Sequence, residues 1–202
     1  MRAGLLNSAG GAAARRDLAR YYRRLRRHGL NDSHSGNASV RDGEVAWITP
    51  TGCSGDTLMA DDLLRCPLGQ PPPDGASLDA PLHLAVYAAR PEAHAVLHSH
   101  GPHSIAMTLA GGDFAPVDFE GRYYFPVVPV LDIPPELYTA RSPAYVAAAL
   151  ATHRVCIVRG HGVYAAAETL DLAYKWTCSL ESSARIAWLA RAAGIGAGSP
   201  AG

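Results

Sequence analysis

Two hairpin signals limit the folds that are open to this 202-residue chain. The first is Asp42-Gly43, a dipeptide that favours a tight turn, between the β-prone runs NASVR and EVAWI. The second is the run VCIVRGHGVYAAA, which predicts two short strands joined at its glycines. Strands joined by a tight turn are antiparallel, whereas parallel strands need long crossover connections. The two hairpins therefore argue against an all-parallel doubly wound sheet.

Helical patterns alternate with the strand-like runs. We predict helices over RRDLARYYRRLRRHGL (closed by Gly29), DAPLHLAVYAARP (with Asp79 at the N-cap), HSIAMTLAG, SPAYVAAALAT and the long stretch 169–194. The segment AHAVLHSH is predicted to be a strand, RYYFPVVPVL an edge or bent strand, and CPLGQPPPDGAS a loop. These elements favour an α/β fold in which helices cover both faces of a mixed or antiparallel sheet. The length suits one domain over 1–202, with an N-terminal helix region 1–30 and a flexible tail 195–202.

The composition argues against several classes of partner and reaction. Lys plus Arg and Asp plus Glu both number 18, so no net charge points to nucleic acid or an anionic membrane. The arginines of the first helix are expected to form a solvated face or a subunit contact. Lys175 is the one lysine, and its place inside an amphipathic helix disfavours a Schiff-base mechanism.

Cysteine usage and the absence of targeting signals predict a cytoplasmic location. The four cysteines show no CxxC pairing, and the N-terminus has no apolar signal region, so we expect reduced thiols. No segment approaches the length of a membrane span.

Three histidines crowd into AVLHSHGPHS, residues 95 to 104. Side chains at i and i+2 of a strand point to the same face, so His98 and His100 project together as two metal ligands would. His161, between two glycines, is a candidate third ligand, and Asp79 is a candidate fourth. Three imidazoles and a carboxylate would suit a catalytic divalent ion, although polar residues closing a strand would give the same pattern.

The other histidines of these segments are weaker candidates. His94 and His103 are expected at the surface or behind the ligands, and His83 is expected to be a structural residue within its helix. Spacing alone therefore leaves open both a metal site and a structural role for the histidines.

The order of several motifs is more specific than any one of them. GNASVR, ITPTG, DAPLHLAVY, AVLHSHGPHSIA and RGHGV follow one another over most of the chain, from about Gly36 to the closing helix. In this order they resemble the class II aldolase/adducin family, above all its fuculose-phosphate and related sugar-phosphate aldolases. The resemblance implies a three-layer α/β/α sandwich around a largely antiparallel sheet. It also implies a homotetramer with active sites between subunits.

The resemblance implies a zinc ion held by His98, His100 and His161, although manganese, cobalt or iron would fit the same ligands. The aldolases place a glutamate general base where this chain has Asp79. The shorter aspartate, which the related ribulose-phosphate 4-epimerases carry as a metal ligand, is implied to be a ligand, a base or both.

The resemblance also implies a phosphate cradle and a catalytic acid. The cradle residues that match are Gly36, Asn37, Thr51, Gly52 and Ser77, whereas Leu78 replaces a second serine. For the acid, the segment FEGRYY offers Glu120, with Tyr123 or Tyr124 behind it.

The implied reaction is cleavage of a small ketose 1-phosphate to dihydroxyacetone phosphate and an aldehyde. Two alternatives remain open. One is a decarboxylase or 4-epimerase that uses the same enolate chemistry. The other is a non-catalytic, adducin-like assembly module, against which the complete histidine set argues.

Overall fold

The structure, a computed structural model, describes residues 3–195, and the side chains of 11–195. Seven strands form one sheet: β1 Asn37–Asp42, β2 Val45–Ile48, β3 Leu64–Pro67, β4 Ala95–Ser99, β5 Val130–Leu131, β6 Val155–Val158 and β7 Gly162–Ala167. The helices are α1 Ala3–Arg27, α2 Ala80–Ala89, α3 Pro102–Thr108, α4 Phe119–Tyr124, α5 Tyr138–Leu150 and α6 Leu170–Ala192. Apart from residue 195, the predicted flexible tail lies outside the described residues.

The sheet is largely antiparallel, as expected. Its strand order is β3-β2-β1-β4-β7-β6-β5, and only the edge pair β5–β6 is parallel. The Asp42-Gly43 turn joins β1 to β2, with Asp42 paired to Val45, and the turn around His161 joins β6 to β7. Both predicted hairpins are confirmed.

Two separate cores lie on the two faces of the sheet, which makes the fold a three-layer α/β/α sandwich. Alternate residues of β4 show this clearly. Leu97 packs in the core formed with α1 and α6, whereas Val96 packs in the core formed with α2 and α5. His98 has the same parity as Val96, so its ring lies on the face covered by α2 and α5.

Two predictions of local structure were wrong. The first three residues of RYYFPVVPVL belong to α4, because the side chain of Asp118 caps that helix by accepting from the N–H of Gly121 at 2.9 Å. Only Val130–Leu131 of that run joins the sheet, at its edge. The loop CPLGQPPPDGAS is shortened at its start, because Cys66 and Pro67 complete the edge strand β3.

Two further findings concern the helices and the cysteines. None of the helices in the described part is long and apolar enough to cross a membrane. All four cysteines lie within that part and are free thiols, as the sequence predicts.

Candidate metal centre and cleft

Three histidines from two places in the chain converge at the ends of the central strands. His98 lies near the end of β4, His100 follows that strand, and His161 lies in the β6–β7 turn, with one ligand atom of each within 4.8 Å of the others. The Nε2 atom of His98 is 2.9 Å from that of His100 and 3.3 Å from that of His161. Tetrahedral zinc with Zn–N distances of about 2.0 Å separates its nitrogen ligands by about 3.3 Å, so the donor set fits such an ion.

The pairing of β4 with β7, together with the β6–β7 turn, explains why the rings meet. His98 pairs with Tyr164 across β4 and β7, and its Nδ1–H donates to the carbonyl of Val163 at 3.1 Å. That bond leaves Nε2 as the lone-pair nitrogen, which faces the other two rings. A Cβ on Gly162 would lie 2.4 Å from the Ser99 carbonyl oxygen, so only glycine lets the turn approach β4 this closely.

Burial sets the protonation state of the three rings. It lowers the pKa of His98 well below 6.5 and lowers the pKa of His100 and His161 in the same direction. Neutral imidazole is the form that binds a metal ion. The cluster is therefore prepared for a cation without first having to lose protons near pH 7.

Asp79 lies beside this cluster, immediately before α2. It occupies the predicted N-cap position, but its side chain makes no capping bond. Its carboxylate instead accepts from Tyr138 Oη at 2.7 Å, Tyr164 Oη at 2.8 Å and Asn37 Nδ2 at 2.8 Å. One carboxylate oxygen is 3.9 Å from His98 Nε2.

The Asp79 carboxylate is ionised at neutral pH. Burial raises its pKa, but the neighbouring ring of His98 and the hydrogen bonds from Asn37 and Tyr138 outweigh burial and lower it to about 2. The cleft therefore combines neutral imidazoles with one fixed carboxylate, a set that can hold a divalent ion and accept a proton.

Tyr138 and Tyr164 are site residues that the sequence analysis missed. The Tyr164 ring stacks on His98 with 4.1 Å between centroids, and the Tyr138 ring meets His161 edge-on at 4.7 Å. The pairing of Tyr164 with His98 follows from the register of β4 against β7, two strands that are far apart in the sequence. Tyr138 begins α5, and no local pattern relates it to Asp79.

A buried hydrogen-bonded chain supports Asp79 from the core side. Asn37 gives one N–H to Asp79, while its carbonyl oxygen accepts from His83 Nε2 at 2.7 Å. His83 Nδ1 therefore accepts from the hydroxyl of Ser39, which in turn accepts from Tyr87, each at 2.7 Å. His83 is thus a satisfied structural residue, as predicted, and it orients the Asn37 amide.

The buried His83 predicts acid sensitivity of the metal-free protein. Burial lowers its pKa to about 4, although the charge of Asp79 opposes that shift. An unfolded histidine titrates near 6.5, so the unfolded chain takes up this proton first as the pH falls. Native stability is then lost between about pH 6.5 and pH 4, by about 3 kcal/mol from this residue.

Urea unfolding of the metal-free protein at about pH 7 and about pH 4.5 measures this loss. His83→Gln has no titrating ring at this position, so its stability should fall less over the same interval. An equal fall in both proteins would contradict the assignment to His83.

The histidine cluster opens into a cleft with a volume of about 520 Å³. All five residues proposed for phosphate line it: Gly36, Asn37, Thr51, Gly52 and Ser77. Thr51 and Gly52 are exposed, whereas Asn37 and Ser77 are buried. Leu78, which is 66% exposed, also lines the cleft and gives that end an apolar wall.

The end of the cleft away from Asn37 is lined by apolar residues and one ion pair. Strands β4 and β7 lie in the sheet between β1, which carries Asn37, and β6. At ordinary strand spacing, β1 and β6 are therefore about 14 Å apart. The buried Ile133 and Val158 line this end, beside Arg159. Arg159 is the one Lys or Arg among the described residues that line the cleft, and Asp132 neutralises it through contacts of 2.7 and 2.8 Å.

The structure of one chain does not bring the proposed acid to the cleft. Glu120 is exposed on α4, and Tyr124 packs against Trp176 with 5.3 Å between ring centroids. Neither residue lines the cleft, and Tyr123 points into solvent, 75% exposed. Capping by Asp118 folds the FEGRYY segment into a helix packed on α6, which places it outside the cleft of its own chain.

Comparisons with known proteins agree with this architecture. Residues 16–188 match the family model described as the class II aldolase and adducin N-terminal domain. The chain therefore belongs to the class II aldolase and adducin family. This family is metal-dependent, and the chain carries a three-histidine site within it.

Several of the similar proteins are aldolases, which are lyases, and their similarity supports class II aldolase activity for this chain. The 5-methylthioribulose-1-phosphate/5-deoxyribulose-1-phosphate aldolase of Rhodospirillum rubrum is 28% identical over 182 residues, which are 87% of this chain and 80% of the relative. The L-fuculose phosphate aldolase of Escherichia coli K12 is 27% identical over 74% of this chain and 70% of its own. The crystal structure of L-fuculose-1-phosphate aldolase from Thermus thermophilus superposes with a TM-score of 0.83 at 35% identity, covering 95% and 98% of the two chains.

Proposed function

We propose that this protein cleaves a small ketose 1-phosphate to dihydroxyacetone phosphate and a short aldehyde. The observation that carries the proposal is the placement of three neutral imidazoles and the ionised Asp79 in one cleft, next to the loops with the phosphate motif. Zinc is the preferred ion for His98, His100 and His161, and manganese, cobalt or iron would also suit these ligands.

The metal supplies one part of the chemistry: it would stabilise the negative charge that develops when the carbon–carbon bond beside the carbonyl breaks. The protein supplies binding and proton transfer. Gly36, Thr51, Gly52 and Ser77 would hold the phosphate through N–H and hydroxyl groups. Asn37 would contribute the N–H that Asp79 does not use.

Proton transfer needs a group within reach of the substrate hydroxyl. Tyr138 lines the cleft and hydrogen-bonds to Asp79, so this pair is our first candidate for the acid and base. Glu120 and Tyr124 would take part only from a neighbouring subunit. Such a role requires active sites that lie between subunits, and we therefore propose a homotetramer. We also propose that the enzyme is cytoplasmic.

The far end of the cleft indicates which aldehyde is released. Ile133 and Val158 are apolar, and the Arg159–Asp132 pair carries no net charge, so an uncharged, apolar end group fits best. The name of the Rhodospirillum rubrum relative includes substrates of this kind. We therefore propose a terminal deoxy or alkylthio group on the substrate.

A matched pair of substrates tests this proposal. Metal-loaded protein is incubated with 5-deoxyribulose 1-phosphate or with ribulose 1-phosphate, which differs only by a terminal hydroxyl, and dihydroxyacetone phosphate is measured. We expect cleavage of the deoxy sugar with a kcat/KM higher by about tenfold or more. Fuculose and rhamnulose 1-phosphates extend the panel. Cleavage of none of these would overturn the aldolase proposal, and equal rates for the pair would overturn only the preference for an apolar end.

One alternative is favoured by specific residues. Asp79 replaces the longer glutamate and is already bound to two tyrosines, and Leu78 replaces a phosphate-binding serine. A decarboxylase or 4-epimerase of a related sugar phosphate would use the same metal and enolate. Carbon dioxide release from a 3-oxo-tetronate phosphate, or interconversion of pentulose 5-phosphates, would identify these activities.

A non-catalytic, adducin-like module is the remaining alternative. Such a module needs no catalytic metal ion, so the three neutral imidazoles that face one another at the bottom of a cleft argue against it. Failure of the purified protein to take up any divalent metal would favour it.

A further inference from the structure

A carboxylate outside the cleft binds the segment that carries His100. The side chain of Glu181, on α6, is 14% exposed and makes four hydrogen bonds to the start of α3. Its Oε1 accepts from the backbone N–H and from Nδ1–H of His103, at 2.9 and 2.7 Å. Its Oε2 accepts from the backbone N–H and the hydroxyl of Ser104, at 2.9 and 2.7 Å.

These bonds replace a cap that α3 lacks. The first N–H groups of a helix have no partner within it, and the residue before the helix usually supplies a side-chain acceptor. Here that residue is Gly101, which has no side chain. Glu181 therefore caps α3 from a different helix, and it does so with a charged acceptor, which makes stronger hydrogen bonds than a neutral one.

Glu181 also contacts the residue that follows His100. A Cβ on Gly101 would lie 2.4 Å from Glu181 Oε2, so the carboxylate packs directly against the backbone next to the ligand. On its other side, the N–H of His100 is shared between the Leu30 carbonyl at 2.7 Å and Asn31 Oδ1 at 3.0 Å. The backbone of His100 is thus held from both directions.

His100 needs this support more than the other two ligands. His98 lies within β4, where ladder pairing to β7 fixes its backbone, and the N–H of His161 bonds to Val158 within the hairpin turn. The ladder ends at Ser99, one residue before His100. The position of the His100 ring therefore depends on contacts outside the sheet.

We propose that Glu181 is a positioning residue for the metal centre, which acts by fixing the His100 segment. The inference rests on the metal role proposed for His100, and it requires no substrate. Groups that orient metal ligands typically contribute about 10- to 100-fold in metal affinity. Glu181→Ala is expected to weaken metal binding within that range, and Glu181→Gln, which keeps one oxygen acceptor, is expected to weaken it less.

Asp171→Asn provides a matched control on the same helix. Asp171 accepts from the Tyr21 hydroxyl at 2.7 Å and so also joins α6 to another helix, α1, but it does not contact the metal ligands. A purely structural role for Glu181 would give the two carboxylate variants the same phenotype. That phenotype is a lower melting temperature with unchanged metal affinity.

The experiment titrates the metal-free proteins with Co²⁺, follows visible absorption, and adds Zn²⁺ in competition with a chelator. Circular dichroism shows which variants are folded, and Glu181→Gln decides the matter if Glu181→Ala does not fold. Weaker metal binding by the folded Glu181 variant, with Asp171→Asn equal to wild type, supports the inference. If the metal affinity of the folded Glu181 variant is within about twofold of the wild-type affinity, the inference is overturned. Absence of metal uptake by the wild type would instead overturn the metal-dependent function, and this inference with it.

Discussion

His161→Ala is expected to lose its metal and nearly all of its activity while keeping its fold. The wild type should carry about one divalent ion per chain, and the variant less than about a tenth of that. kcat/KM should fall by about 10³-fold or more, because no protein group replaces the lost charge stabilisation. Metal is measured by elemental analysis of protein purified without a chelator or a histidine tag.

The fold should survive this change because His161 lies in a turn and is only partly buried. Helical circular dichroism should match that of the wild type. His94→Ala is the matched control, since His94 precedes β4 and is exposed. Unfolding of His161→Ala, or full metal content in that variant, would contradict the assignment and identify the histidines as structural.

Tyr138→Phe is expected to lower kcat by about 10²-fold or more, the usual range for removing a group that moves a proton. The variant lacks the hydroxyl that binds Asp79 and lines the cleft, but it keeps the ring that packs against His161. Metal content and KM should therefore change little. Steady-state kinetics with 5-deoxyribulose 1-phosphate, together with elemental analysis, separate these quantities.

Tyr145→Phe is the control for this second change. Tyr145 lies on the same helix and is 45% exposed, so loss of its hydroxyl should leave kcat unchanged. A kcat near the wild-type value for Tyr138→Phe would transfer the role to Asp79 acting alone or to Glu120 of a neighbouring subunit. Glu120→Gln would then distinguish between these two.

The contrast between the confirmed and the failed predictions has a physical basis. The two hairpins follow from turn residues, and the face of β4 that carries His98 follows from the two-residue period of a strand, so neighbours in sequence suffice for both. The run RYYFPVVPVL has β-prone residues but forms a helix first, because Asp118 supplies a cap that outweighs local propensity. Glu120 and Tyr124 lie on this helix and do not line the cleft of their own chain.

The residues of the candidate site also fall into two groups, those that the sequence predicts and those that it does not. His98 and His100 are two residues apart, and their joint projection follows from the strand alone, while the motif order relates them to His161 and Asp79. Tyr138 and Glu181 have no such local signal. Each lies tens of residues away from the group that it binds. Tyr138 reaches Asp79 because α5 packs on α2, and Glu181 reaches the start of α3 because α6 packs on α3.

Backbone geometry acts over a few residues, and so short-range patterns were enough to identify the hairpins, the layered α/β class and the joint projection of His98 and His100. Long-range packing brings distant side chains within hydrogen-bonding distance. It alone determined that Asp79 is bound to two tyrosines rather than capping α2, and that a carboxylate from the last helix holds the segment of His100.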